Sequence, residues 1–145
     1  MTAQMLNAEK KVLAGCCVVL IEPASEMVRA ISQSLGDNGA ATALLSTVPL
    51  AVTLLADKPG WADVLLVGPS VHPEDCKELV SSIREHLGIT RKALPIFLVA
   101  PFRDTSTADV VLPHLFDAHI PLPTDTRQLI GAIQRVLAEN ARTER

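Results

Sequence analysis

Short apolar runs, most of them followed within two residues by proline or glycine, constrain the fold of this chain more than any other feature. They are Val12–Ile21, Ala40–Leu45, Ala62–Val67, Leu94–Val99 and the brief Ala118–Pro121. Valine-rich runs of this length are typical of strands buried on both faces of a parallel sheet. The first run places Cys16 and Cys17 in the middle of a strand, where we expect buried, unreactive thiols on opposite faces.

Amphipathic segments alternate with these strands. The predicted helices are Ser25–Gly36, Pro49–Ala56, Pro73–Leu87, a short or kinked segment at Ala108–Leu112, and a final helix capped by Thr124 or Asp125. Strand and helix alternate about every two dozen residues, which implies right-handed crossovers and a parallel sheet covered on both faces. The sequence therefore predicts a flavodoxin-like α/β three-layer sandwich, with five strands in the order 2-1-3-4-5 and five helices.

Length and charge bound the number of domains and the class of partner. The 145 residues fit one domain, residues 12–140, preceded by an extension (1–11) and followed by a frayed tail (141–145). Scattered basic residues and a net charge of −3 argue against a phosphate backbone as ligand. Aromatic residues make up only 3%, with no tyrosine, so a stacking platform for single-stranded nucleic acid is not expected.

Cysteine and hydropathy patterns bear on compartment and membrane. Three cysteines, two of them adjacent, predict a reducing compartment, and the absence of C-x-x-C spacing predicts no metal site. Leu13–Cys16 spells a lipoprotein cleavage box, but the charged Asn7–Lys11 stands where such a box needs an apolar segment. The charge-free stretch Asn38–Ala56 is interrupted by turn formers. We therefore expect a cytoplasmic protein without a membrane span.

Four stretches resemble the receiver domain of bacterial response regulators, over almost the whole chain from Val12 to Asn140. They are Val19–Met27, Ala62–Gly68, Pro95–Ala100 and Ile120–Pro123. In that family these strand ends hold two Mg²⁺-binding carboxylates, a phosphorylated aspartate, a hydroxyl and a lysine. The matching positions here are Glu22, Pro23, Gly68, Ala100 and Leu122.

Only Glu22 keeps the residue type that this chemistry needs. Gly68 has no nucleophilic atom, and without the lysine and the second carboxylate there is no cage for a metal and three phosphoryl oxygens. The resemblance therefore implies a degenerate receiver that is not an enzyme and needs no cofactor or metal. Glu22 could be a remnant of the family's acidic pair or a charge at the start of the first helix, and we expect the latter.

Other residues near the strand ends offer poor substitutes. Asp63 lies at the opposite end of the third strand and cannot reach the pocket. Ser70 and His72 are close enough in sequence to act as nucleophile and base, but this spacing is more typical of ordinary turn residues.

A second, shorter resemblance involves the N-terminal wing domain of the bacterial lysine, arginine and ornithine decarboxylases. Pro95–Leu98, followed by Arg103-Asp104-Thr105, is similar to its fourth-strand region. It implies the same fold and, in a chain of this length, a detached regulatory or assembly module.

The receiver resemblance also points to a surface. In receivers the fourth helix, fifth strand and fifth helix form the output and dimer face, here Ser106–Pro123 and the exposed side of Thr124–Asn140. The candidate residues for a protein partner or a second copy are His114, Phe116, His119, Arg127 and Arg135. For Phe116, packing in the core is the slightly favoured alternative. The rival function is small-ligand sensing in an apolar pocket formed by Gly68, Ala100 and Leu122.

Overall fold

A five-stranded parallel sheet forms the centre of the molecule. The structure, a computed structural model, describes residues 12–58, 60–101, 116–122 and 126–143. The strands are β1 (Cys17–Ile21), β2 (Ala41–Leu45), β3 (Val64–Val67), β4 (Ile96–Pro101) and β5 (Ala118–Leu122). Their order is β2-β1-β3-β4-β5, which confirms the predicted topology.

Helices cover both faces of this sheet. The described residues contain α1 (Glu26–Asp37), α2 (Val48–Asp57), α3 (Pro73–Ser81), which a π-helical turn (Ser82–His86) continues, and α4 (Thr126–Thr143). Helix α4 corresponds to the final helix predicted from the sequence. The predicted helix at 108–112 and the caps predicted at 124 and 125 lie outside the described residues. In the parts of the chain that the structure describes, no helix combines the length and the apolar character that a membrane span needs.

Alternating side chains along the strands build two apolar cores. The side chains that face α2 and α3 include Val19, Leu65 and Leu98. Those that face α1 and α4 include Val18, Leu66 and Phe97. Because both faces are covered, the ends and the outer edges of the sheet are the places left for function.

The first strand begins later than the apolar run predicts. Gly15 has a positive φ of 82°, and residues 12–15 form a turn in which the N–H of Cys16 donates to the carbonyl of Leu13 (2.9 Å). Cys16 therefore precedes β1, and Cys17 is its half-buried first residue rather than a buried residue in mid-strand. Hydrophobicity alone does not reveal this turn, because every residue of the run except Gly15 is apolar.

The helix ends follow their capping residues. Ser25 caps α1 and Thr47 caps α2, each accepting from the N–H three residues later. At the other end of the chain, α4 continues to Thr143 instead of fraying after Asn140. Alanine and arginine are strong helix formers, so the helix persists after its apolar stripe has ended.

Two aspartates connect neighbouring strands where the strands enter the sheet. Oδ2 of Asp63 accepts from the N–H of Cys17 at 2.7 Å, which confirms that Asp63 lies at the amino end, far from the candidate pocket. Oδ2 of Asp117 accepts from the N–H of Ile96 at 2.7 Å, and Asp117 also pairs with Arg84 and Arg91. These carboxylates fix the register of β3 on β1 and of β5 on β4.

The core position of α4 provides a test of the packing. Ile133 is fully buried (0% exposed) against the sheet. We expect Ile133→Asp to lower the free energy of unfolding by about 4 kcal/mol or more, because it buries an unpaired charge. Gln134→Asp, at the adjacent exposed position, should cost only about 0.5 kcal/mol through helix propensity. Urea unfolding followed by circular dichroism measures both, and equal stability of the two variants would contradict this helix phase.

Candidate functional site

Glu22 lies directly after β1 and is buried, with 5% of its surface exposed. Its Oε1 accepts a hydrogen bond from the backbone N–H of Ser70 at 3.0 Å, which joins the end of β1 to the loop after β3. The role of Glu22 as a charge at the start of the first helix stays a prediction, since the contact observed is with the loop after β3. That helix is capped by Ser25, whose Oγ accepts from the N–H of Val28 at 3.2 Å.

Gly68 directly follows β3 and packs against this buried side chain. A Cβ at position 68 would lie 2.4 Å from Oε1, 2.6 Å from Cδ and 2.8 Å from Cβ of Glu22. The backbone does not demand glycine here, because Gly68 is not among the glycines with positive φ. The close approach of Glu22 means that any side chain here requires Glu22 to move.

Gly68 thus supplies no side chain, and Glu22 occupies the space beside it. In the resemblance, position 68 matches the phosphorylated aspartate, yet here the first atom of such a side chain would lie only 2.4 Å from the Glu22 carboxyl group. Pro23, which matches the second metal-binding carboxylate, is exposed and brings no oxygen ligand. Among the described residues no three histidine, cysteine or acidic side chains come together as a metal site.

The two remaining pocket positions are placed by their backbones. Ala100 lies on β4 opposite Pro121, and Leu122 on β5 lies opposite Pro101, so both are at the carboxyl edge of the sheet as expected. The structure describes their backbones only.

Ser70 and His72 do not form a nucleophile–base pair. The N–H of Ser70 is used by Glu22, and Nδ1 of His72 accepts from the N–H of Glu74 at 3.3 Å as the N-cap of α3. No hydrogen bond joins their side chains, so both act as loop and cap residues.

The cysteines are poor nucleophiles. Burial, with a smaller contribution from Asp63, raises the pKa of Cys16 to about 11. Burial, with a contribution from Asp75, raises the pKa of Cys76 to about 11, and burial also raises the pKa of Cys17. Because the thiolate is the reactive form, these thiols are largely protonated and unreactive at neutral pH.

The candidate partner residues divide into three groups. Phe116 is buried in the core on the α2 and α3 face, so its core interpretation is confirmed and it is not available at the surface. His119 on β5, with Arg127 and Arg135 on α4, is exposed. His114 lies outside the described residues.

A groove between α2 and α3 was missed by sequence reasoning. It has a volume of about 400 Å³ and opens at the carboxyl ends of β1 and β2. We call it the α2–α3 groove; its lining residues are Ile21, Pro23, Ser46, Thr47, Val48, Pro49, Ser70, Val71, Asp75 and Glu78. The signal available in the sequence was the spacing of Asp75 and Glu78, which places both on one side of a helix.

The comparisons with known proteins agree with this topology. No protein-family model matches the chain, and no curated protein matches it in sequence. Among solved structures, a streptococcal redox sensor of a family that evolved from two-component response regulators has a TM-score of 0.75 at 14% identity and covers 90% of this chain. The chain spans about half (54%) of that protein.

Two receiver domains match over their whole length. One, from Clostridium thermocellum, has a TM-score of 0.70 at 14% identity, covering 88% of this chain and 98% of its own. The receiver domain of the TMAO respiratory regulator TorR has a TM-score of 0.69 at 17% identity, covering 86% and 98%. The protein therefore has the fold of response-regulator receiver domains, as the sequence resemblance predicts.

The contact between Glu22 and Gly68 predicts a coupled pair of substitutions. Gly68→Ala should lower the free energy of unfolding by about 1–3 kcal/mol, because the added Cβ overlaps the Glu22 side chain. In a Glu22→Ala background the same change should cost less, since two of the three clashing atoms are gone. Denaturant unfolding of the double-mutant cycle measures this coupling.

Gly36→Ala serves as the control for this cycle. No atom lies within 4 Å of a Cβ at this position in α1, so the change should be neutral or stabilising. An additive cycle, with no coupling between positions 22 and 68, would contradict the contact.

Proposed function

We propose that this protein is a receiver-like module that does not accept phosphate and acts by binding a protein partner in bacterial signalling. The observation that carries the proposal is the packing of Glu22 against Gly68, a position without a side chain whose adjacent space Glu22 occupies. We place the protein in the cytoplasm and assign it no catalytic activity, metal or cofactor.

The partner surface that we propose lies along β5 and the outer side of α4. β5 is an edge strand, so its outer backbone groups are not paired within the sheet. The exposed residues His119, Arg127 and Arg135 give this region a basic character, although the whole chain has a net charge of −3. Such a surface favours an acidic partner, and electrostatic attraction accelerates its association. A second copy of the chain is the alternative partner at this face.

We further propose that the surface has one state. Receivers switch because a phosphoryl group attracts the hydroxyl at the end of strand four and repacks an aromatic residue on strand five. Ala100 has no hydroxyl, and the stretch His119-Ile120-Pro121 has no tyrosine or phenylalanine. Without a ligand that distinguishes two conformations, the equilibrium does not shift.

The observed contacts weigh against two other functions. Redox sensing, which the streptococcal neighbour suggests, needs a reactive thiolate, but the pKa values of Cys16, Cys17 and Cys76 are all raised. Ligand sensing in the former phosphorylation pocket needs space beside Gly68, which Glu22 fills. The detached wing-like module stays a prediction from sequence.

The missing acceptor predicts the outcome of phosphorylation. Incubation with Mg²⁺ and acetyl phosphate should leave the intact mass unchanged, because position 68 carries no carboxylate. A receiver domain that keeps its aspartate, treated in parallel, provides the positive control. One acid-labile phosphoryl group per chain would overturn the proposal.

The proposed surface predicts which substitutions weaken a partner captured from the native host. Arg135→Glu should lower the affinity about tenfold, because it reverses a charge that faces an acidic partner. Arg29→Glu, an equal charge reversal at an exposed position of α1 outside this surface, is the matched control and should leave the affinity unchanged. Calorimetry with the purified partner measures both affinities.

Glu22→Gln tests whether the former pocket still affects the surface. Glutamine keeps an acceptor for the Ser70 N–H, so we expect unchanged affinity. Gly68→Asp, which sequence alone suggests as a second neutral variant, is unsuitable because its Cβ clashes with Glu22. A loss of affinity confined to Glu22→Gln would contradict a single-state surface and favour communication from the pocket.

A further inference from the structure

The outer side of β2, which we call the β2 edge, is open to pairing with a further strand. Among the described strands β2 has β1 as its neighbour on one side and none on the other. The N–H of Ala41 donates to the carbonyl of Cys16 at 2.9 Å, on the β1 side. Hydrogen-bonding directions alternate along a strand, so the N–H and C=O groups of Thr42 and Leu44 point away from β1.

The β2 edge lacks the features that protect most edge strands, which are charge, proline and bulges. The stretch Asn38–Ala56 contains no charged residue, and β2 contains no proline and pairs with β1 in unbroken register. The other edge strand, β5, contains Pro121, which has no N–H to offer. The flanking helices leave the β2 edge accessible. Thr42 is exposed, and Leu44, at 46%, is the most exposed large apolar side chain of the described residues.

The charge distribution favours a second copy of the chain as the occupant. The net charge of −3 makes two copies repel each other, so they approach best through a surface that carries no charge. At the charge-free β2 edge no like charges stand opposite each other. An acidic or a basic partner, by contrast, would find no complementary charge there. A strand that pairs antiparallel with its own copy also forms an isologous contact, which closes at two chains.

The outward-facing groups set the register of such a pair. A twofold axis at Ala43 places Thr42 opposite Leu44 of the second copy, and each exchanges its N–H and C=O hydrogen bonds with the other. The exposed Leu44 then packs beside Thr42 of the other chain, because directly opposite side chains are in contact. At the axis, Ala43 faces itself as a non-hydrogen-bonded pair, in which the Cα atoms are about 4.5 Å apart.

We propose that this protein forms a symmetric dimer in which the β2 edges of two copies pair antiparallel and join the two sheets into one. The β5 and α4 surface lies at the opposite edge of each sheet and stays free for another partner. The dimer therefore stands whether or not the partner-binding proposal holds.

Sedimentation velocity of the full chain measures the dimer. One strand pair buries little surface, so we expect weak association that is followed from about 10 µM to 1 mM. Leu44→Lys should weaken it at least about tenfold, because it removes an apolar contact and adds a charge to each copy at the edge. Leu50→Lys, the same change at a similarly exposed leucine of α2 (44%), is the matched control and should leave the dimer unchanged.

Disulfide cross-linking with copper phenanthroline tests the register. In Ala43→Cys the introduced thiols meet at the axis, at a Cα separation within the range of about 4.4–6.8 Å that a disulfide needs. In Ala41→Cys they lie about 13 Å apart along the strand pair. Ala43→Cys should therefore form linked dimers and Ala41→Cys should not, although Ala41 is the more exposed residue. The wild type, which has three cysteines of its own, gives the background.

A chain that stays monomeric up to about 1 mM would overturn the proposal. A dimer that survives Leu44→Lys would overturn it too. So would a dimer that Arg135→Glu dissociates while circular dichroism shows an intact fold, because the second copy would then occupy the β5 and α4 surface. Faster cross-linking of Ala41→Cys than of Ala43→Cys would exclude the antiparallel pairing about Ala43.

Discussion

A buried or half-buried carboxylate that accepts a backbone N–H at a strand end is the interaction on which this sheet depends. It occurs three times among the described residues: Asp63 accepts from Cys17 (2.7 Å), Asp117 from Ile96 (2.7 Å) and Glu22 from Ser70 (3.0 Å). Charge-assisted hydrogen bonds of this kind are stronger than neutral ones. Two of them align the strands where they enter the sheet, and the third holds a loop where the strands leave it.

The third carboxylate accounts for the character of the candidate site. In the receiver resemblance an acid at position 22 binds a metal, whereas here Glu22 hydrogen-bonds a backbone amide and fills the space beside Gly68. The same residue type therefore has a structural role in place of a chemical one. What remains accessible at this edge is the neighbouring groove, whose acids Asp75 and Glu78 are exposed.

The sequence predicts the sheet order because strand and helix periodicities are local properties, and each buried run is visible within a few residues. The sequence also predicts that position 68 lacks a nucleophile, because glycine has no side chain in any environment. It could not predict the role of Glu22, since the partner Ser70 is 48 residues away and no local pattern records that contact. The start of β1 was misplaced for a related reason: the turn at Gly15 depends on a hydrogen bond from Leu13 to the distant Asn38.

The Glu22 side chain and the missing side chain at Gly68 depend on each other, so a substitution at one position affects the other. An aspartate at position 68 alone would meet the Glu22 side chain at atoms as close as 2.4 Å to its Cβ, so it would require the Glu22 side chain to move. Shortening Glu22 alone would free the Ser70 N–H without supplying a nucleophile. A change at either position is therefore coupled to the other.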